Sequence, residues 1–232
     1  MARGNSVDIR GIFSSLSRRY DLFNNLVSFG IDKSWRREAA GCVGDGSIVL
    51  DLCSGTGDLA LEIARKNKNS RIEALDFCPE MVELGARKAE KEGLSGRIRW
   101  TTGRAEELPF EGLKFDFVTS VFALRNLSGS LDAVFSETFR VLKNGGAAIA
   151  LDLGRPSNPA LKLFYYLYLK CVMPVIGFAV YGKVSPFIYF GNSILTFYKV
   201  DEVKAKFINA GFRECEYRPL VFGAAGIYIA KK

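Results

Sequence analysis

The chain has 232 residues, 32 Lys+Arg against 25 Asp+Glu for a formal charge of +7, and 48% hydrophobic residues. That composition is an ordinary globular one and excludes a disordered, collagenous or coiled-coil chain, while the length fits one α/β domain with an embellishment. Histidine is absent, which excludes a Ser-His-Asp or Cys-His nucleophile, an HExxH metal site and any imidazole base.

Residues 1–10 have no apolar core and are not expected to form a signal peptide. Up to residue 45 the chain is polar, basic and aromatic, with Tyr20, Phe23, Phe29 and Trp35 spaced among Arg18, Arg19, Arg36 and Arg37, which reads as a helical N-terminal cap. From Ser47 onward short apolar runs alternate with amphipathic stretches, the pattern of βα units around a mostly parallel sheet. Strands are expected at 48–53, 71–76, 98–102, 115–121 and 147–151, with helices at 59–66, 79–91 and 130–142 between them. Lys143-Asn144-Gly145-Gly146 should close the last of these helices with a left-handed cap. A helix over 200–210 stops at Gly211, and β segments at 214–220 and 227–230 bring the total to seven.

Residues 156–197 form the second shift in composition, an insertion crowded with Leu, Phe, Tyr and Val. A membrane-crossing helix needs about 20 apolar residues with few charges, and Lys162, Lys170 and Pro174 interrupt this run. It reads as helices packed on the sheet, and equally as an apolar lid over a greasy ligand. Cys42, Cys53, Cys78, Cys171 and Cys215 form no CxxC pair, so neither a disulfide framework nor a zinc knuckle is expected and a reducing cytoplasm is. The basic excess favours anionic partners. Nucleic acid is not expected among them, because no Asn-Pro-Pro-Tyr motif is present and the aromatics of the insertion lack interleaved basic clusters.

The chemistry should lie in Val49-Leu50-Asp51-Leu52-Cys53-Ser54-Gly55-Thr56-Gly57-Asp58, where an apolar strand ends in an acid and turns through two glycines into a helix. Such a turn brings backbone N–H groups close to a ligand. With Ala60 in the third position it satisfies the GxGxxG/A pattern of dinucleotide-binding folds. The charges argue otherwise: Asp51 and Asp58 would repel a pyrophosphate and attract a cationic amine. S-adenosylmethionine offers an ammonium for the acids, a carboxylate for the amides and a sulfonium that tolerates both. A nicotinamide dinucleotide and a purely structural glycine turn remain the alternatives. Asp76, ending the second strand, stands at the spacing of a carboxylate that accepts hydrogen bonds from ribose hydroxyls. Phe77 and Met81 would then flank the adenine, or else belong to the core. The loop from Gly103 through Arg104 and Ala105 to Phe110 should border it.

Several further motifs, in order along nearly the whole chain, resemble those of the class I methyltransferases and specifically the ubiquinone/menaquinone biosynthesis C-methyltransferase family. They are Tyr20-Asp21-Leu22-Phe23-Asn24, Ser28-Phe29-Gly30-Ile31-Asp32-Lys33-Ser34-Trp35-Arg36-Arg37, Phe122-Ala123-Leu124-Arg125-Asn126 and Arg140-Val141-Leu142-Lys143-Asn144-Gly145-Gly146, followed by a match from Asn192 to Phe212. The resemblance implies a single domain over 1–232 with a seven-stranded, mostly parallel Rossmann-like methyltransferase sheet and helices on both faces, capped by 1–45 and covered by the lid at 156–197. It implies S-adenosylmethionine as donor and a reduced polyprenylated ring as acceptor, such as demethylmenaquinol. Donor contacts carry over to Thr56, Asp76 and the pair Arg104-Ala105, where the family more often has Asn-Ala. Asp51, Gly55 and Gly57 join them around the amino-acid end, with Tyr20 as a cap.

Methyl transfer needs nucleophile, methyl and sulfur in line and water excluded. Arg125 would stabilise a ring phenolate and Asn126 would hydrogen-bond the ring oxygen or a water, the catalytic pair the family motif suggests. The competing reading makes Arg125 a structural ion pair and Asn126 a loop cap. Three departures weaken the acceptor identity: Tyr228 where the family carries a histidine, Tyr198 in place of a proline, and Val121 where a small or polar residue is common. Another lipid or a small aromatic acceptor therefore remains open. A prenyl tail would suit the apolar residues of 161–181, and Lys162, Lys170 and Lys183 would rest at acidic headgroups. The expected setting is the cytoplasm with peripheral visits to the inner membrane face, and a homodimer is compatible with all of this.

Overall fold

The computed structural model describes residues 9–232; residues 1–8, most of the segment considered as a leader, and the side chain of Arg18 lie outside what is described. Seven strands, β1 Ile48–Leu52, β2 Arg71–Asp76, β3 Ile98–Thr102, β4 Phe115–Val121, β5 Leu142–Leu153, β6 Glu214–Leu220 and β7 Ala225–Lys231, form one sheet in the order β3-β2-β1-β4-β5-β7-β6. The first five pair in parallel and β7 runs antiparallel between β5 and β6. Strand order reverses between β1 and β4, and in open α/β sheets ligands bind beyond the carboxyl ends of the strands at that point.

Helices cover both faces because the inner strands are apolar on both. On one face α3 (Asp32–Gly41), α4 (Asp58–Lys66) and α5 (Pro79–Lys91) pack Trp35, Ala39, Leu59, Ile63 and Ala89 against Val49, Ile72 and Ile149. On the other, α6 (Leu131–Val141) and α10 (Val200–Asn209) set Phe135 and Phe207 in a stack 3.8 Å apart over Leu50, Val118 and Ala148. A third, smaller core joins the two ends of the chain. Leu16 and Phe23, from α1 (Ile9–Leu16) and α2 (Tyr20–Val27), meet Leu169, Met173, Phe187 and Ile194 of the insertion.

The expected spans 71–76, 79–91, 98–102, 115–121 and 214–220 coincide with the structure; the others shift by one or two residues at their ends, except the strand expected at 147–151, which runs Leu142–Leu153. The helix expected to run to 142 ends at Val141, and Leu142 is already extended and paired with Phe115. Gly145 does take the left-handed conformation (φ 79°), but within a register shift of β5 and not as a helix cap. Leu142 is fully buried, and its pairing with β4 outweighs continuation of the helix. The insertion is also less broken than its sequence suggests. Helix α7 (Pro159–Leu167) passes through a π turn at Tyr168–Val172 into α8 (Met173–Tyr181), and α9 (Ser185–Thr196) follows. Pro174 comes directly after the widened turn, which relieves the clash a proline makes with the preceding turn. The continuous Pro159–Tyr181 segment has 23 residues, with a mean hydropathy of 1.7 over its most apolar 18-residue window, enough by length and composition to cross a membrane.

Candidate active site

The turn after β1 is built for close approach. Gly55 has φ 55° and a Cβ there would meet nothing within 4 Å, so its backbone faces open space. Gly57 serves a different purpose: at φ 79°, a Cβ would lie 2.2 Å from the Trp100 ring, so this glycine lets the α4 N-terminus seat against β3. Of the six non-glycine residues that are left-handed among the described residues, two flank the strand-order reversal, Cys53 after β1 (φ 56°) and Phe122 after β4 (φ 60°).

Asp51 is buried, with Thr119 Oγ1 donating to its Oδ1 at 2.9 Å and no partner for Oδ2. Burial pushes its carboxyl up to about 7, despite the hydrogen bond from Thr119. It lines a small cavity of about 40 Å³ together with Tyr20, Gly55, Thr56, Arg36 and Asp58. Arg36 is buried, paired with Asp32, 3.6 Å from Asp58, and 5.2 Å over the Phe122 ring. A carboxylate with a free oxygen and a buried guanidinium thus face one small space, complementary to a zwitterionic amino-acid group.

The small cavity is continuous, through Tyr20, Cys53, Gly55, Val121 and Phe122, with a cleft of about 380 Å³ over the ends of β1, β2 and β4. Asp76 stands in that cleft, accepting from Gly55 N at 2.8 Å and from Cys78 N at 2.9 Å, and burial raises its carboxyl above the ordinary value. Phe77, Met81, Arg104 and Ala105 complete the wall around it. Met81 and Ala105 are buried, whereas the Arg104 side chain is 74% exposed and reaches toward Glu106 at 3.4 Å.

A third cavity, about 130 Å³ and mostly apolar, lies between the cap and the insertion, lined among others by Phe23, Val27, Tyr165, Met173 and Phe190. Phe13, Tyr20, Phe122 and Asn126 belong to both this cavity and the large cleft, so the two meet at a shared wall. Arg125 is buried here and paired with Asp152, whose carboxylate also accepts from Arg125 N at 3.1 Å and Leu153 N at 2.7 Å. The guanidinium Nε has no partner, and burial pushes its pKa down. Asn126 Oδ1 is likewise buried without a partner.

Over residues 1–232 the chain matches the ubiE/COQ5 methyltransferase family. The chain belongs to the ubiE/COQ5 methyltransferase family. It is 40% identical over 227 residues to the ubiquinone/menaquinone biosynthesis C-methyltransferase of Geobacter sulfurreducens, a match covering 97% of this chain and 88% of that one. The demethylmenaquinone methyltransferase of Thermus thermophilus is 35% identical over 95% of this chain and 100% of its own length. The fold recurs in a SAM-dependent methyltransferase from Thermotoga maritima, with a TM-score of 0.67 and 18% identity over 96% of this chain and 99% of that one.

In this family member most of the residues singled out from sequence converge. Tyr20, Gly55, Asp76, Phe77, Met81, Arg104 and Ala105 line the large cleft, and Asp51 and Thr56 line the small cavity. Gly57 lines neither, and the Thr56 hydroxyl is engaged, donating to Asp21 at 2.6 Å and accepting from Lys88 at 3.0 Å. Lys88 also bridges Asp21 and Asp58 at 2.7 and 2.5 Å, tying the cap to the glycine turn. Tyr228 does not reach the methyltransferase site. It is buried on the opposite face, with its ring centroid 4.8 Å from Tyr217 and 6.4 Å from Phe207. Arg125 makes the ion pair of the competing reading, and it also lines the apolar cavity. The sequence reading missed Arg36 and Asn24 because a polar residue on an amphipathic helix carries no mark of which way it points.

Proposed function

We propose that this methyltransferase transfers a methyl group from S-adenosylmethionine to a ring carbon of a reduced polyprenylated quinone precursor, demethylmenaquinol or a close relative. The observation that carries this reading is the shared wall: a cleft that holds Asp76 and Glu106 and an apolar, ring-sized cavity meet at Tyr20, Phe122 and Asn126. The donor fits residues that are otherwise unexplained. Asp51, with its orphaned oxygen, takes the ammonium, Arg36 takes the carboxylate, the open face of Gly55 allows close approach, and Asp76 takes ribose hydroxyls. When bound, the donor supplies an electrophilic methyl on a sulfonium.

The chain's own part is to orient and to exclude water. Phe13, Tyr20 and Phe122 close the wall at the reacting end. The Arg125 guanidinium stabilises the ring hydroxyl as phenolate, which makes the neighbouring carbon nucleophilic, and Asn126 Oδ1 accepts from the hydroxyl or a water. The hydroxyl proton leaves to water as the phenolate forms; with the donor bound, the ring carbon would take the methyl, and the C–H proton it then loses would go to water while the ring oxygen regains one, a route that needs no histidine, which the chain lacks.

The prenyl tail continues the cavity toward the membrane. Val27, Tyr165 and Tyr168 line the cavity, while Leu163 (60% exposed), Phe164 (70%) and Phe29 (76%) cover the outside of the same elements. The Phe29 ring lies 6.3 Å from that of Tyr168, so wall and outer face are continuous. With exposed Lys162, Lys170 and Lys183 alongside, this face suits the anionic leaflet of a cytoplasmic membrane, engaged peripherally. The reaction is tested by methylation of reduced demethylmenaquinone, repeated with Arg125→Ala and Asn126→Ala. Turnover should fall at least tenfold with donor binding retained; wild-type turnover in both variants would remove the pair from the chemistry.

A further inference from the structure

Three buried polar atoms on the walls of the apolar cavity have no partner in the protein: Arg125 Nε, Asn126 Oδ1 and Asn24 Nδ2. The first two lie on the loop after β4 and serve the hydroxyl next to the reacting carbon. Asn24 has no such assignment. It comes from α2, on the cap side, four residues after Tyr20; burial raises the tyrosine's pKa and the Asn24 side chain beside it offsets part of that, while no hydrogen bond of ordinary geometry satisfies Nδ2.

A buried N–H left unpaired costs roughly 1–3 kcal/mol. In a cavity walled by Phe23, Val27, Leu169 and Met173, a leucine at this position would fill the same space without that cost. The amide therefore points to an acceptor brought by the ligand. The cavity's volume of about 130 Å³ is close to the roughly 150 Å³ that holds one benzene ring, so it has room for a single aromatic ring, with Asn24 of the cap and Arg125 and Asn126 of the β4 loop all on its wall. A para-dihydroxy ring carries oxygens at opposite ends. With one at Arg125 and Asn126, the other faces the cap.

We infer that Asn24 hydrogen-bonds the second ring oxygen and makes the enzyme selective for para-dihydroxy rings over monohydroxy ones. This rests on the quinol reading above. A site that hydrogen-bonds a substrate oxygen rejects the analogue lacking it, because its own donor is then left unpaired.

The test compares two acceptors, reduced demethylmenaquinone and a prenylated naphthol with a single hydroxyl beside the reacting carbon, in the wild type, Asn24→Leu and Asn24→Ser. The wild type should prefer the diol by about ten- to a hundredfold in kcat/KM. Both variants should lose that factor on the diol while keeping the naphthol rate within about twofold, with donor affinity and thermal midpoint near wild type. Equal losses on both acceptors, or a preference that survives substitution, would overturn the assignment of Asn24 and leave the quinol reaction standing. A wild type that methylates neither ring would instead bring down the reaction and this inference together.

Discussion

Replacing Asp51 by asparagine separates what the carboxylate does for the fold from what it does for the ligand. The Thr119 hydroxyl donates to Oδ1, and an asparagine oxygen accepts the same bond, so the packing is preserved. What changes is charge. Burial raises the folded pKa from 3.8 to about 7, so the folded chain holds this proton to higher pH than the unfolded one. Stability is therefore lost as pH rises: the penalty is absent below about 3.8, grows through the interval and levels off above about 7. At 1.36 kcal/mol per pKa unit the full penalty is about 4 kcal/mol. Asp51→Asn should accordingly be more stable than the wild type by up to about 4 kcal/mol at pH 8, and by only about 1 kcal/mol at pH 4.5, in urea unfolding at the two pH values. Donor binding should move the opposite way, weakening by ten- to a hundredfold through loss of a charge-assisted hydrogen bond of roughly 1.5–3 kcal/mol. In the wild type, calorimetry at pH 6.5 in buffers of different ionisation enthalpy should show proton release as the donor ammonium forces Asp51 to ionise. A variant equally destabilised at both pH values, or one that binds donor normally, would refute the reasoning.

Gly57→Ala should cost roughly 1–3 kcal/mol in unfolding experiments, because a methyl group at φ 79° would overlap the Trp100 ring. Gly55→Ala should cost about 1 kcal/mol of backbone strain and lower donor affinity more than stability. Tyr228→Phe should leave turnover within about twofold, since its ring packs against Phe207 and Tyr217 away from every cavity wall described above; a larger loss would place it in the chemistry. Leu163→Glu with Phe164→Glu should abolish cosedimentation with anionic liposomes while leaving methylation of a short-tailed, detergent-soluble acceptor near wild type, and retained liposome binding would rule out this face.

The strands were legible because their residues leave little choice. The runs at 48–52 and 115–121 are short, mostly buried and bounded by turn residues, so their spans follow from composition and punctuation. The segment at 142–146 was misread because a basic turn followed by two glycines is the same local signal for a helix cap and for an irregular strand entry. The choice was made by Phe115, far away in sequence. The donor end of the site was legible for a similar reason, since a loop of ten residues holds its acid and glycines together. The acceptor end was not, because its wall draws Asn24 and Val27 from one end of the chain and Tyr165 and Met173 from the other. Tyr228 stands where the family carries a histidine, and strand alternation decides its face: Ile227 and Ile229 point to the α3 and α4 side, and Tyr228 to the α6 and α10 side.

Because Phe13 and Tyr20 line both the cleft proposed for the donor and the cavity proposed for the acceptor, each ligand would fix one boundary of the other's compartment. Affinities for the two are then linked, and by thermodynamic reciprocity whatever factor one gains from the other's presence is returned in equal measure. An occupant of the greasy chamber that never reacts should thus register as a change in how tightly the sulfonium compound is held.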